Sequence, residues 1–207
     1  MRLQPLVEQF LSERGLALSP AKTVITHVDD GFDCLGQTVR RLNGKLLIKP
    51  AKKSICAVLT KIRGIIRGSH GVSAALLVAR INPVVRGWTN YHRHVACSRV
   101  FSSMDNEIWI SLWRWARRRH TNKSAYWVKD KYFPTQGARR WRFSGAFVDA
   151  SGTKRVTPVF LASSVHFQRH IPIRSDANPF DPEWDAYFQK RRRRPSVARA
   201  AFSPEGV

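Results

Sequence analysis

Apolar residues recur three and four positions apart along much of the segment from residue 55 to residue 116, and this spacing most constrains the fold. Residues spaced in this way lie on one face of an α-helix. The clearest stripe consists of Ile55, Val58, Leu59, Ile62 and Ile66. The centre of the chain is therefore predicted to be helical, with one apolar side on each helix.

Turn residues divide this helical region into separate helices. Residues 68–71 include two glycines and are predicted to end the first helix, and a second helix is expected from Ser73. The second helix is expected to stop before Asn82, because Asn82 followed by Pro83 resembles the N-cap and first residue of a third helix. Two more helices are predicted to follow, a long one over residues 103–118 and a short one over residues 124–132.

Shorter elements are predicted before the helical region. Helical spacing of apolar residues within residues 1–18 predicts a helix that ends near Gly15 and buries one face. Residues 23–27 and 36–41 have the composition of strands, and the Asn43-Gly44 pair predicts a hairpin turn after them. This part of the chain is expected to be a small β-hairpin segment.

After the helices the pattern changes again. Residues 141–148 and 156–165 are predicted to be two strands joined by a turn, and Asp181 with Pro182 predicts the start of a last helix. Residues after Pro195 are expected to be a disordered tail. The predicted fold class is therefore α+β, with a small β-hairpin segment, a helical region, and a C-terminal β-hairpin plus helix.

The charge balance indicates the kind of partner. The chain has 36 Lys and Arg residues against 14 Asp and Glu residues, a formal net charge of +22 over 207 residues. Each phosphate neutralised by Lys or Arg releases condensed counterions, so this excess favours binding to a polyanion. Solubility alone does not require such an excess, and no strongly basic helix with a clean aliphatic face points to an anionic lipid surface. With 43% hydrophobic residues, the chain is expected to fold.

Cellular context is constrained by what the sequence lacks. Cys34, Cys56 and Cys97 are widely separated, so neither a disulfide framework nor a zinc knuckle is encoded. No apolar run approaches the roughly 20 residues that span a bilayer, and residues 1–10 lack the layout of a signal peptide. We therefore expect a cytoplasmic protein without a membrane partner.

Three segments together resemble the group II intron-encoded reverse transcriptases, or maturases, in the part that follows the polymerase active site. Residues 15–23 and 31–36 are similar to the last palm strands and the primer-grip turn of that family. Residues 81–94, Ile-Asn-Pro-Val-Val-Arg-Gly-Trp-Thr-Asn-Tyr-His-Arg-His, resemble the signature of the maturase-specific domain. Residues in 115–133 and 169–184 are similar to the distal thumb and the DNA-binding region.

The resemblance implies an organisation in four parts. Residues 1–49 would be a remnant of the reverse transcriptase palm with a primer-grip-like turn, and residues 50–134 the maturase-specific helical domain that serves as the thumb. Residues 135–194 would be a basic, DNA-binding-like extension, followed by the tail at 195–207. The primer-grip-like residues are Phe32, Leu35 and Gly36.

The resemblance also implies a function. The chain is expected to be a truncated, RNA-binding maturase that helps group II intron RNA to fold and splice, with target DNA or a separate palm chain as further partners. One alternative is the thumb half of a split RNA-directed DNA polymerase that needs a separate fingers-palm chain. A third alternative is a general basic DNA- or ribosome-associated protein, in which the arginine run at 191–194 would contact the nucleic acid.

No catalytic residue, metal or cofactor is expected in this chain alone. In the family the catalytic aspartates precede the Leu-Ser-Pro-x-Lys-Thr stretch, whereas Asp29 and Asp30 follow it, so we interpret this pair as exposed turn residues. His92 and His94 would point about 200° apart on a helix, without a carboxylate cluster to complete a metal site. The paired cysteines and the histidine motif of the family's HNH endonuclease are absent after Pro195.

Nucleic-acid binding is expected to rest on basic and polar side chains of the helical domain. Phosphate could also be held at a helix N-terminus over residues 82–84. By their spacing from Val84 and Val85, Trp88 and Tyr91 fit a core position better than base stacking. The predicted binding residues are Arg86, Asn90, Arg93, His94, Arg117, Arg118, Arg119, Lys123 and Lys131.

Overall fold

The computed structural model describes residues 4–21, 23–135, 141–149, 151–168 and 173–193. Helices and two small antiparallel sheets make up an α+β fold, which confirms the predicted class. The helices are α1 (Gln4–Ser12), α2 (Lys52–Arg67), α3 (Ala74–His92), α4 (Ser98–Arg119), α5 (Ala125–Tyr132) and α6 (Asp185–Arg193). The strands are β1 (Phe32–Cys34), β2 (Gln37–Leu42), β3 (Lys45–Pro50), β4 (Ser144–Val148) and β5 (Lys154–Pro158).

The first sheet is a meander of β1, β2 and β3. Its hairpin turns are Leu35-Gly36, with φ of 50° and 74°, and Asn43-Gly44, with φ of 49° and 73°. Two successive residues with positive φ match the twist of the strands that they join. The Asn43-Gly44 prediction is confirmed, but the strand predicted over residues 23–27 is wrong, because these residues form no ladder in the structure.

The N-terminal helix is shorter and less buried than its pattern predicted. It spans only Gln4–Ser12, and none of its residues is buried. Its apolar side chains Leu6, Val7 and Phe10 are 51%, 44% and 55% exposed. The expected buried face is therefore wrong for this structure, because no described element packs over that face.

The core is a three-helix bundle of α2, α3 and α4. Two contacts show that α2 and α4 run in the same direction: Arg63 donates to Glu107 over 2.6 Å, and the Trp115 indole donates to the Ser69 carbonyl over 2.8 Å. Helix α3 runs the opposite way and packs against α2, where the Trp88 indole donates to Ser54. The buried side chains of these helices include Ile62, Ile66, Leu77, Val78, Ile81, Val85, Phe101, Met104, Ile108 and Leu112.

Helix α3 corrects the predicted helix boundary at Asn82 and Pro83. The helix continues through Pro83 without interruption, although proline lacks an N–H and crowds the preceding turn. Ile81 and Val85 flank the proline and are fully buried, so packing of the apolar face outweighs the local signal. Asn82 is not an N-cap, and the phosphate site predicted at a helix N-terminus over residues 82–84 does not exist.

The second sheet, β4 with β5, packs against α3, and the segment after β5 packs against α4. The Asn82 amide donates to the Pro158 carbonyl over 3.1 Å, and its oxygen accepts from the Phe160 N–H over 2.7 Å. Strand β5 ends at Pro158, before the predicted boundary at residue 165. The Asp105 carboxylate then accepts from the N–H groups of Ala162 and Ser163, which fixes a short 3-10 turn on α4.

The last helix is confirmed and begins as predicted. The Asp181 side chain accepts from the Glu183 N–H over 3.1 Å, next to Pro182, and α6 follows a single 3-10 turn. The predicted tail at 195–207 lies outside the described residues. No helix in the described part of the chain is long and apolar enough to cross a membrane.

Candidate nucleic-acid interface

The helical domain carries an unbalanced positive charge. Residues 52–131 contain sixteen lysines and arginines against only Asp105, Glu107 and Asp130. All three carboxylates are engaged: Asp105 holds two backbone N–H groups, Glu107 pairs with Arg63, and Asp130 lies 3.3 Å from Lys129. Most of the cations therefore have no acidic counterpart within this domain, which favours an anionic ligand.

A basic groove lies between α2 and α4, and we call it the arginine groove. Arg63, Arg67, Arg114 and Arg118 line it, with Ser111 between them. Within each helix the two arginines are four residues apart, so they lie on the same face about 6 Å apart along the axis. The parallel packing of α2 and α4 brings the two pairs together. Because Arg63 is paired with Glu107, Arg67, Arg114 and Arg118 are the groove residues placed to contact phosphates.

The sequence predicted only Arg118 among these four arginines. The four-residue spacing of each pair was visible in the sequence, but the packing of α2 beside α4 was not. Arg67 and Arg118 also lie in the last turns of their helices, where a cation stabilises the helix dipole by about 0.3–1 kcal/mol. That structural role is compatible with phosphate binding, because both arginines are exposed.

A second basic group lies at the end of the bundle where α4 meets α5. It contains Arg117, Arg119, Lys123 and Lys131, so the structure brings these predicted residues together. The ammonium groups of Lys131 and Lys123 lie 4.6 and 5.7 Å from the Trp127 ring. Arg119 and Lys131 also line a cleft of about 590 Å³ whose opposite wall is β4 and Lys154.

Arginines of this group also have structural contacts. Arg119 donates to the carbonyls of His70 and Val72 and lies over the Trp115 ring, so it holds the loop between α2 and α3. Arg117 donates to the carbonyl of Lys123 over 3.1 Å. Their roles in nucleic-acid binding stay predictions.

His120 is at the centre of the second basic group. Its Nε2 lies 2.7 Å from the Tyr132 hydroxyl. Burial lowers the pKa of His120, and the neighbouring charges of Lys131, Arg119 and Lys123 lower it further. Burial raises the pKa of Tyr132. The imidazole is therefore neutral at pH 7, and a phosphate bound beside it would favour its protonation.

The predicted residues in the second half of α3 and just after it lie toward the opposite end of the bundle. Arg86 lies 5.1 Å from the Phe160 ring, Asn90 is exposed, and His94 Nδ1 is 2.8 Å from the Gln168 carbonyl. Arg93 is half-buried, and its Nε has no hydrogen-bond partner among the described residues. Helix α4 separates this group from the second basic group and is about 33 Å long. One small ligand cannot contact both groups, whereas a folded RNA can.

The two aromatic residues of the signature have anchoring roles. Trp88 is half-buried and donates to Ser54 Oγ over 3.0 Å, and Tyr91 is half-exposed and donates to the Leu35 carbonyl over 2.7 Å. Buried His92 lies beside Trp88, with ring centroids 4.3 Å apart, and burial lowers its pKa. The expected core position agrees with this geometry for Trp88 but is wrong for Tyr91, whose side chain is 52% exposed because its hydroxyl reaches out to the turn at Leu35.

The primer-grip-like turn lies directly on the helical bundle. Besides the Tyr91 contact to Leu35, the Ala51 N–H donates to the Gly36 carbonyl over 2.9 Å. The Leu35 side chain is 82% exposed, and Phe32 is 44% exposed. The turn is therefore fixed through its backbone while its side chains stay available. A role in holding a primer stays a prediction.

Asp29 and Asp30 are exposed turn residues, as predicted. Asp29 accepts from Arg41 Nε over 2.8 Å, and this hydrogen bond lowers the pKa of the Asp29 carboxyl. Among the residues that the structure describes, no group of three or more His, Cys, Asp or Glu side chains is arranged to hold a metal ion.

Comparison with known proteins agrees with this geometry. Residues 55–133 match the family model of the group II intron, maturase-specific domain. The match covers most of α2 and all of α3, α4 and α5. It includes the arginine groove, the second basic group, and the residues Arg86, Asn90, Arg93 and His94. No curated protein matches the chain. The chain therefore contains the maturase-specific domain of group II intron proteins, and its function is related to that of the group II intron maturases.

Proposed function

We propose that this protein binds group II intron RNA through its maturase-specific domain and helps the RNA to fold for splicing. The arginine groove within the matched segment is the observation that carries the proposal. In this role the protein holds RNA helices in their active arrangement, while the RNA itself carries out the transesterification. No side chain of the protein needs to act as an acid or a base.

The layout of the charges suits a folded RNA. A-form RNA is recognised mainly through its shape and its phosphates, because its deep major groove excludes side chains. The arginine groove offers cations on two parallel helices. At the other end of the bundle, Arg86, Asn90, Arg93 and His94 add hydrogen-bond donors. Contacts at both ends would fix the orientation of a large RNA, which a single basic patch cannot do.

Substitution of Arg67 and Arg118 by glutamine tests this proposal. The double variant is expected to bind intron RNA at least tenfold more weakly, and the slope of log affinity against log salt should fall by about 1 per arginine. The matched control replaces exposed Lys45 and Lys61, which lie outside the groove, and should change affinity much less. Filter binding over a salt series measures both quantities.

Two results would contradict the proposal. Equal binding of intron RNA and an unrelated RNA of equal length would leave only a nonspecific polyanion binder. An equal loss in the groove variant and in the control variant would show that the groove is not the contact surface. Circular dichroism of each variant checks that the fold is retained.

A second candidate function is the thumb half of a split reverse transcriptase. Exposed apolar side chains in residues 4–42, including Phe10, Ile25 and Leu35, favour a further protein surface over this region. A separate fingers-palm chain would then supply the polymerase aspartates. Primer extension by both chains together, with no extension by this chain alone, would support it, and failure of the two chains to copurify would exclude it.

A further inference from the structure

A cluster of aromatic side chains lies where α4 meets the segment that leads into β4. Trp109 and Trp113 stack with ring centroids 5.6 Å apart and planes 7° apart. Trp141 lies about 6 Å from both rings, and Phe133 packs behind them. Trp141 is 42% exposed, so the cluster reaches the surface.

An open cavity of about 240 Å³ adjoins this cluster. Its walls include Trp109, Trp141, Phe143 and Phe160, and Asn106 adds a polar edge. The volume is below the range of about 300–1,000 Å³ that is usual for drug-sized ligands. Flat aromatic walls and this small volume favour one planar ring system.

The walls are held in place before any ligand arrives. Trp109 Nε1 donates to the Trp141 carbonyl over 3.1 Å, which fixes both the indole and the backbone beside it. Asp105 holds the backbone of residues 162–163 at the opposite side through two hydrogen bonds. A fixed site loses less conformational entropy on binding than a flexible one.

The domain that contains the cavity carries a large excess of cations, sixteen lysines and arginines against three acidic residues over residues 52–131. Lys129 Nζ lies 5.7 Å from the Trp141 ring and 3.3 Å from the Asp130 carboxylate, and Arg142, whose Nε donates to the Val159 carbonyl over 3.0 Å, lines the cavity. The carboxylate in the wall, Asp105, is occupied by backbone N–H groups. A neutral aromatic ligand attached to a negative backbone would match an aromatic cavity in this strongly basic domain.

One cation of α4, Arg117, lies between the cavity and the arginine groove around the helix axis. Arg117 is four residues after Trp113, so both lie on one face of α4. Arg114 and Arg118 lie within about 100° of that face around the helix axis, toward α2. A nucleic-acid strand leaving the groove would therefore pass Arg117 before reaching the indole rings.

We propose that this cavity binds one unstacked nucleobase of a single-stranded nucleic acid, which stacks on the indoles of Trp109 and Trp141. The neighbouring phosphates contact Arg117 and Lys129, and the Asn106 amide is placed to reach the base edge. Aromatic platforms beside basic grooves are a general means of holding unpaired bases. The inference deepens the proposed RNA binding and rests on it only for the choice of RNA as the nucleic acid.

A comparison of two oligomers tests the proposal on the full chain. Short oligouridylate is compared with an abasic oligomer of the same length and charge, and tryptophan fluorescence and affinity are measured at physiological salt. Loss of one stacked base corresponds to a roughly tenfold weaker affinity. We therefore expect oligouridylate to bind about tenfold more tightly than the abasic oligomer and to quench fluorescence. A deoxyuridine oligomer distinguishes DNA from RNA as the source of the base.

The variant Trp141→Leu should abolish the preference for bases and leave abasic binding unchanged. The control Trp184→Leu, outside the cavity, should keep the preference. Equal binding of both oligomers by the wild-type protein would overturn the proposal, and so would an equal loss of both in Trp141→Leu. Photocrosslinking of 5-iodouridine RNA to the wild-type protein needs no variant: a crosslink at Trp109 or Trp141 supports the proposal, and crosslinks confined to other residues overturn it.

The outcome is independent of the test of the arginine groove. A base-dependent preference without a preference for intron RNA would retain the nucleobase site and reject the maturase function. A preference for intron RNA without any dependence on bases would retain the maturase function and reject the nucleobase site.

Discussion

Two regions of this chain have similar apolar patterns and different degrees of burial. In the helical bundle, Phe101 is 1% exposed and the side chains of Leu77, Ile81 and Val85 are fully buried. In the N-terminal region, no side chain among the described residues 4–49 is buried, and Phe10 is 55% exposed. An amphipathic pattern therefore predicts a helix, but a neighbouring element decides whether its face is buried.

The largest difference in stability is expected between phenylalanines of the two regions. Phe101→Ala should lower the free energy of unfolding by about 3–5 kcal/mol, because it leaves a cavity between α3 and α4. Phe10→Ala should change it by less than about 0.5 kcal/mol. Urea denaturation followed by circular dichroism measures both. Similar losses would show that the N-terminal helix folds together with the bundle.

Substitution of Gly145, at the edge of the bundle, should give the next largest change in stability. A Cβ at Gly145 would overlap the backbone of Ala74 and Ala75, where β4 crosses the start of α3. Gly145→Ala should therefore cost about 2–3 kcal/mol. Gly64→Ala is the matched control, because its Cβ would meet no neighbour and the helix should gain about 1 kcal/mol. A harmless Gly145→Ala would mean that β4 does not dock on α3.

Pro83→Ala tests whether bundle packing overrides a local helix signal. Proline inside a helix lowers the free energy of unfolding by about 3 kcal/mol, but it also restricts the unfolded chain, which raises that free energy by about 1 kcal/mol. The variant should therefore gain about 2 kcal/mol, as a shift in the urea midpoint. If Pro83 instead began a helix, the substitution would be neutral or destabilising.

The smallest expected effect is a pH dependence within the bundle. Burial lowers the pKa of His92 and of His120 below the ordinary value of 6.5. The unfolded chain then binds more protons than the folded chain, so stability should fall as the pH drops below about 6.5. The lowered pKa of Asp29 acts only in more acidic solution, below 3.8. Urea midpoints over a pH series measure the effect.

The variant His120→Gln provides the control for this pH dependence. It removes one of the two titrating imidazoles, so it should reduce the slope of the free energy of unfolding against pH. The part of the slope that comes from His92 should remain. An unchanged slope would contradict the assignment to His120.

Much of the fold followed from the sequence because its signals are local. Helical spacing predicted α2 and α4, and signals at its ends predicted α5. The Asn43-Gly44 pair predicted a hairpin whose two positive φ angles favour those residues. The resemblance at residues 81–94 indicated the maturase-specific domain, whose family model residues 55–133 match. Asn82 misled the prediction because its side chain bonds to residues 158 and 160, a contact that spacing cannot reveal.

The sequence likewise predicted only some residues of the candidate site. The sequence identified Arg86, Arg93 and the arginines at 117–119 by their position in or near recognised motifs, but it did not identify Arg63, Arg67 or Arg114. Those three became candidates only when α2 and α4 were seen side by side. Trp109 and Trp141 were likewise brought together by the docking of the second sheet.

By itself the sequence determined the positive charge of this protein, the helical character of its centre and the family of its central domain. These properties depend on composition and on residues close together in the chain. The tertiary structure alone decided that α3 runs through Pro83, that four arginines share one groove, and that the first helix leaves its apolar face exposed. The physical reason is that burial and charge clustering depend on which surfaces meet, and helical spacing describes only one surface at a time.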